Sequence, residues 1–135
     1  MIYADTDFFL ALLKESDWLK EPAERLLHQY AARICVSPAV LIELMLLARR
    51  DKVDPERMVE DVLDLATLKG GNPAVFLDAA KHMNEHNAGA LDSLHAAFCG
   101  PGDELISSDK VFDLLGVKRI ALEQQDDLTP SGTSN

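Results

Sequence analysis

The sequence predicts an α/β fold, a three-layer sandwich in which a short, mostly parallel sheet is flanked by helices. Three observations carry this. Short apolar segments run directly into helical stretches, and a strand followed by a helix is the unit from which parallel sheets are built. Helix outweighs strand along the chain, as it must when helices cover both faces of a small sheet. The 135 residues are 47% hydrophobic and 27% charged, the balance of one soluble domain and not of a disordered chain or coiled coil.

The chain opens on a strand, Met1-Ile2-Tyr3-Ala4, which turns at Asp5-Thr6-Asp7 into a helical stretch over Phe8 to Leu13. Pro22 at a first helical position, with Ala23, Leu26, Leu27 and Tyr30 three and four apart, predicts a second helix. Arg33 to Ser37 reads as the next strand. Ser37 as N-cap and Pro38 at N1 start a third helix, and the pair Arg49-Arg50 suits its C-terminal dipole. Asp54-Pro55 starts a fourth, with Met58, Val59, Val62, Leu63 and Leu65 on or near one face, and it ends before Gly70-Gly71. A fifth covers Ala74 to Glu85 and a sixth Leu91 to Phe98, stopped by Gly100-Pro101-Gly102. Glu104 to Ser107 is a strand, Asp109 to Leu115 a short helix and Val117 to Leu122 the last strand. The domain is expected to span 1–122, with a polar, disordered tail from Glu123 to Asn135.

Charge and cysteine usage exclude several classes. The 13 Lys and Arg against 23 Asp and Glu give a net charge of −10, which argues against broad electrostatic binding of nucleic acid. A carboxylate cluster built for a divalent cation accounts for part of that excess. Cys35 and Cys99 stand alone, outside any C-x-x-C pair, so neither a disulfide framework nor a structural zinc site has its ligands. No apolar run is long enough to span a membrane and no signal peptide opens the chain, so a cytoplasmic location is expected.

Four acids occupy places where acids need a reason. Asp5 follows the first strand and Asp109 follows the strand ending at Ser107, so both fall at the carboxyl edge of the sheet, where open α/β sheets bind ligands. Either also serves as a helix N-cap. Glu43 interrupts Ala39-Val40-Leu41-Ile42-Glu43-Leu44-Met45-Leu46-Leu47-Ala48, a helix apolar on nearly every side, where an ionised carboxylate needs a partner. Arg49 or Arg50 would serve, as would a metal. Asp92 sits in Ala90-Leu91-Asp92-Ser93-Leu94-His95-Ala96-Ala97-Phe98, as a first-turn acid or a partner for His95 at i+3. Together the four suit a hard, oxygen-preferring cation, Mg²⁺ or Mn²⁺, and not zinc. His82 and His86 lack the H-E-x-x-H order and read as helix surface, and His95 as a hydrogen-bonded residue of the core or beside the ligands.

In this order and spacing the sequence resembles a PIN domain, and in size the VapC-type ribonuclease toxins of prokaryotic toxin-antitoxin pairs. The resemblance runs to about residue 122. It rests on the strand leading into Asp5-Thr6-Asp7, on Glu43 within Ser37-Pro38-Ala39-Val40-Leu41-Ile42-Glu43, on Leu91-Asp92-Ser93-Leu94-His95, and on Leu105-Ile106-Ser107-Ser108-Asp109-Lys110 after a Gly-rich turn. It implies Asp5, Glu43, Asp92 and Asp109 as the catalytic, Mg²⁺- or Mn²⁺-binding cluster, with Ser107 and Asp7 beside it. The family commonly has Asn where Asp7 stands and Ala where Ser93 stands. It further implies an RNA substrate cut endonucleolytically, a homodimer, and a small antitoxin protein that covers the site. Lys14, Arg49, Arg50, Lys52 and Lys110 are the candidates for phosphate contacts. The helix from Pro38 to Ala48, apolar around its circumference, needs either a partner surface or a central position in the fold.

Two other readings fit parts of the pattern. One is a PIN-like fold used as a binding module, which the few basic residues favour and four acids oppose. The other is a haloacid-dehalogenase-type phosphatase, whose D-x-D loop Asp5-Thr6-Asp7 resembles. The later G-D-x-x-x-D motif that resemblance implies is absent, since Asp109 lies six residues after Asp103, and Glu43 would have no role.

Overall fold

The computed structural model describes residues 1–125. Its strands are β1 (Ile2–Ala4), β2 (Ile34–Val36), β3 (Thr67–Leu68), β4 (Glu104–Ser107) and β5 (Lys118–Ala121), and they form one sheet in the order β3-β2-β1-β4-β5. Every pairing is parallel, with Ile2 opposite Ile34 and Glu104, and Ile106 opposite Ile120. The helices are α1 (Thr6–Leu13), α2 (Lys20–Tyr30), α3 (Pro38–Arg50), α4 (Pro55–Leu65), α5 (Pro73–His86), α6 (Ala90–Phe98) and α7 (Val111–Leu114). This is the expected sandwich.

Alternation along β1 sets the layers, because successive side chains of a strand point to opposite faces. Ile2 and Ala4 join Phe8, Phe9, Leu26, Val40, Leu44, Met58 and Val62 in the larger core, formed with α1 to α4. Tyr3 joins Leu105, Ala96, Phe112 and Leu115 in the smaller one, formed with α6 and α7. Phe8 and Phe9 meet edge to face, 5.3 Å between centroids. β1 therefore lies at the centre of the molecule.

Three helices begin with a cap and a proline at N1, where a missing N–H costs nothing. Ser37 Oγ accepts from Val40 N at 3.2 Å, Asp54 Oδ1 from Glu56 N at 3.0 Å, and Asn72 Oδ1 from Ala74 N at 2.9 Å. At Gly70 the chain runs at φ +127°, and a Cβ there would stand 2.5 Å from the Phe98 ring, so only glycine fits.

The structure differs from the sequence reading at identifiable points. α2 starts at Lys20, not at Pro22, because Asp17 receives Leu19 N on its side chain and Lys20 N on its carbonyl and so nucleates the turn earlier. Pro22 stays within the first turn, where its missing donor is harmless. Two-residue β3, exposed at the sheet edge, was not expected. The last helix shrinks to Val111–Leu114, with Asp109 outside it. α3 is not wrapped on all sides, since Ile42, Met45 and Leu46 are 54%, 52% and 68% exposed. Leu122–Gln124 forms a 3₁₀ turn that straddles the expected domain end at residue 122, and the expected tail from residue 126 on lies outside the described residues. Among the described residues no helix is long and apolar enough to cross a membrane.

Candidate functional site

The carboxyl ends of β1 and β4 lie side by side, and Asp5 N donates to Ile106 O at 2.9 Å, carrying the ladder one residue past the strand. This brings Asp5 against Ser107. Asp5 Oδ2 accepts from Ser107 Oγ at 2.8 Å and Oδ1 from Thr6 N at 2.7 Å, in the N-cap position of α1. Only 7% of Asp5 is exposed. Burial pushes its carboxyl up to about 6, with Asp7 adding to the rise, against the opposing pull of His95 and the two hydrogen bonds.

Glu43 projects from α3 toward the same point. Its Oε1 accepts from Thr6 Oγ1 at 2.5 Å and lies 2.8 Å from His95 Nε2. The hydrogen bond from His95, helped by Thr6, outweighs burial and holds the Glu43 carboxyl below its usual range. Arg50, one of the two arginines expected to compensate Glu43, turns instead to Asp51. His95, buried on α6, also stands 3.6 Å from Asp5 Oδ1. Burial disfavours its imidazolium, yet Glu43, Asp5 and Asp92 more than offset that and raise its pKa. One ligand atom from each of Asp5, Glu43 and His95 lies within 4.8 Å of the other two.

Asp7 Oδ2 accepts from Ser108 N at 2.8 Å and from Ser108 Oγ, while its Oδ1 is buried with no hydrogen-bond partner. Burial raises its pKa as well. Asp92, in the first turn of α6, is half-buried, and burial, then Asp109, raises its carboxyl. Asp109 is exposed; its Oδ1 accepts from Val111 N at 3.0 Å, a turn leading into the short α7, and its backbone N donates to Ser107 Oγ.

Asp5, Asp7, Glu43, Asp92 and Asp109, with Thr6, Leu10 and Ser108, line one cleft of about 340 Å³. All four acids singled out in the sequence thus meet there, Asp7 with them, and Ser107 lies beneath, tied to both Asp5 and Asp109. His82 and His86 pair on α5, 6.0 Å between rings, and do not line it. Thr6 and Ser108 escaped the sequence reading. Each is a hydroxyl next in sequence to a residue already singled out, which is the one local signal that could have found them.

A family model for the PIN domain matches residues 2–118. The chain belongs to the PIN domain family. That membership sets aside the phosphatase reading of Asp5-Thr6-Asp7. Solved structures agree on the fold. The PIN domain here superposes on the Mycobacterium tuberculosis toxin VapC20, described as cleaving the sarcin-ricin loop, with TM-score 0.77 and 19% identity over 90% of this chain and 99% of that one. A toxin-antitoxin complex from Klebsiella pneumoniae gives TM-score 0.69 at 15% identity, covering 90% and 98%. VapBC-1 from nontypeable Haemophilus influenzae gives 0.66 at 18%, covering 92% and 100%. No curated protein sequence matches the chain.

Proposed function

We propose that this PIN domain is a divalent-metal-dependent endoribonuclease, the toxin of a toxin-antitoxin pair, with Asp5, Glu43, Asp92 and Asp109 as its metal-binding and catalytic acids. The observation that carries this is the convergence of those carboxylates on a single cleft at the carboxyl edge of a sheet shared with VapC toxins. The donor set fits Mg²⁺ or Mn²⁺. It is almost wholly carboxylate oxygen, it includes a buried Asp5 whose ionised form is disfavoured as it stands, and it adjoins an Asp7 oxygen with no partner.

A bound divalent ion would supply a deprotonated water at neutral pH and offset the charge of the scissile phosphate. The protein's own share is orientation. Ser107 fixes Asp5, while Thr6 and His95 both hold Glu43 Oε1, so these two carboxylates present set rotamers to the cleft. Ser108 holds Asp7 in the wall. Lys110, exposed and next in sequence to Asp109, is a candidate for a substrate-phosphate contact. Cleavage of a labelled RNA in Mn²⁺, lost with EDTA and with Asp5→Asn or Asp92→Asn, tests the assignment. Intact RNA with the wild-type protein would sink it.

The same reading includes a homodimer and a small antitoxin. Exposed Ile42, Met45 and Leu46 support it, because three large apolar side chains on one helix form the kind of patch that partners cover. Leu46→Asp is expected to lower the mass seen by light scattering from dimer to monomer. An unchanged mass counts against α3 as the contact.

A further inference from the structure

Arg119, on β5, lies outside the cleft yet makes more charge-assisted contacts than any acid in it. Its side chain is 7% exposed. Nη1 donates to Ser107 O at 2.8 Å and to both oxygens of Glu123, at 2.9 and 3.1 Å. Nε and Nη2 take the two oxygens of Asp113 at 3.0 and 3.1 Å, a forked pair in which both donors and both acceptors are used. Ser107 is the last residue of β4 and Asp113 lies in α7, so the guanidinium grips the chain immediately before and immediately after the turn that carries Asp109.

Elsewhere the turn is held by Ser108, whose N and Oγ both donate to Asp7 Oδ2, and by Asp109, whose Oδ1 accepts from Val111 N. The turn is partly exposed at Ser108 and exposed at Asp109, and α7 is a single helical turn. Ser107 Oγ ties the turn to the inner cleft, accepting from Asp109 N at 3.0 Å and donating to Asp5 Oδ2. The Ser107 hydroxyl thus touches two of the cleft's carboxylate residues, and its main chain is held by pairing with Ala121 of β5 and by Arg119 at its carbonyl.

Resting on the metal-site reading above, we infer that Arg119 is a positioning residue that staples the Ser107–Asp109 turn from β5 and so sets the spacing of Asp109 relative to Asp5. A lysine cannot replace it fully, because one ammonium cannot serve the Asp113 fork and the Ser107 carbonyl in the same planar geometry. Outlying hydrogen bonds of this kind commonly change metal affinity by about tenfold or more.

The test compares Arg119→Met, Arg119→Lys and Asp113→Asn with Val62→Ala, a core truncation in α4 in the other layer of the sandwich. Two readouts are taken well below every melting point: Mn²⁺ affinity by calorimetry, and native-state hydrogen exchange of the Ser108 and Asp109 amides. Arg119→Met is expected to weaken Mn²⁺ about tenfold and to speed exchange at those amides about tenfold relative to β1 and β2. Arg119→Lys and Asp113→Asn should fall between it and wild type, and they carry the test if Arg119→Met does not fold. Val62→Ala should change neither readout. Unchanged affinity and exchange in the Arg119 variants, or equal losses in Val62→Ala, overturn the inference. If the wild type itself fails to bind Mn²⁺, the metal reading falls and exchange alone decides the staple, faster exchange upholding it and unchanged exchange refuting it.

Discussion

The cleft has an inner wall and a rim, and they are built differently. On the inner wall Asp5, Glu43, His95, Thr6 and Ser107 are tied into one connected set, in which each carboxylate has a donor from the protein before any ligand arrives. At the rim Asp109 is exposed and accepts from the Val111 amide with one oxygen, and Asp92 is half-buried with its ionised form disfavoured by burial and by Asp109. The wall is thus preorganised by the fold, whereas the rim acids have fewer protein donors to hold them. Preorganisation has a cost, because the wall confines acids around a single buried imidazole.

The largest effect expected from this contrast is on stability. His95→Ala removes the group facing both Asp5 and Glu43 and leaves two acids in a poorly hydrated wall. It should lower the unfolding free energy by about 3 kcal/mol, read by urea denaturation in EDTA. Asp109→Asn at the rim should change it by less than about 0.5 kcal/mol. Comparable losses from the two variants would erase the distinction between wall and rim.

Next comes the dependence on pH. The folded value for Asp5 is about 6, above its unfolded 3.8, so the folded state binds the extra proton and stability falls as pH rises between those values. His95 has the same sign, since its raised pKa means stability is lost as pH climbs from 6.5 through the folded value. Glu43 has the opposite sign, but its lowered pKa confines its effect to below about pH 4.5. Metal-free protein should therefore lose stability as pH rises from about 4 to about 6, where Asp5 titrates, and further above 6.5, where His95 does. A flat or rising profile in EDTA would contradict the charge state assigned to the wall.

A smaller effect is expected from Ser107→Ala. It strips a donor from buried Asp5 and an acceptor from Asp109 N, and should cost about 1–2 kcal/mol, with the loss shrinking in saturating Mn²⁺ if the ion takes over the Asp5 oxygen. No change in the metal-free protein would show that the Ser107 hydroxyl is not holding the wall.

Much of this was legible in the sequence, for reasons that differ by element. Ser37-Pro38 and Asp54-Pro55 each combine a side-chain cap with a residue that cannot sit in a helix interior, so two helix starts could be read to the residue. β3 could not, because two exposed residues carry no periodicity and pair only because β2 has a free edge beside them. α2 was placed two residues late because proline is a louder signal than the Asp17 cap that starts the turn. The four acids were visible by contrast with their surroundings, Glu43 most of all in its apolar helix. Its partner was not, since His95 lies 52 residues away and only the α3–α6 packing brings them to 2.8 Å. For the same reason Arg119 drew no notice, as a lone arginine in an amphipathic strand looks like any surface residue until its strand neighbours are known.

The central claim is that the wall and rim acids form one divalent-metal site, and the most direct measurement is the melting temperature with and without millimolar Mn²⁺ for wild type, Asp5→Asn, Glu43→Gln and Asp92→Asn. A site filled to about 100 times its Kd should add about 2.7 kcal/mol, roughly 10 °C for a domain of this size. Stabilisation of the wild type that all three substitutions abolish or sharply reduce is the result the account predicts. A wild-type protein that melts at the same temperature with and without Mn²⁺ would contradict it.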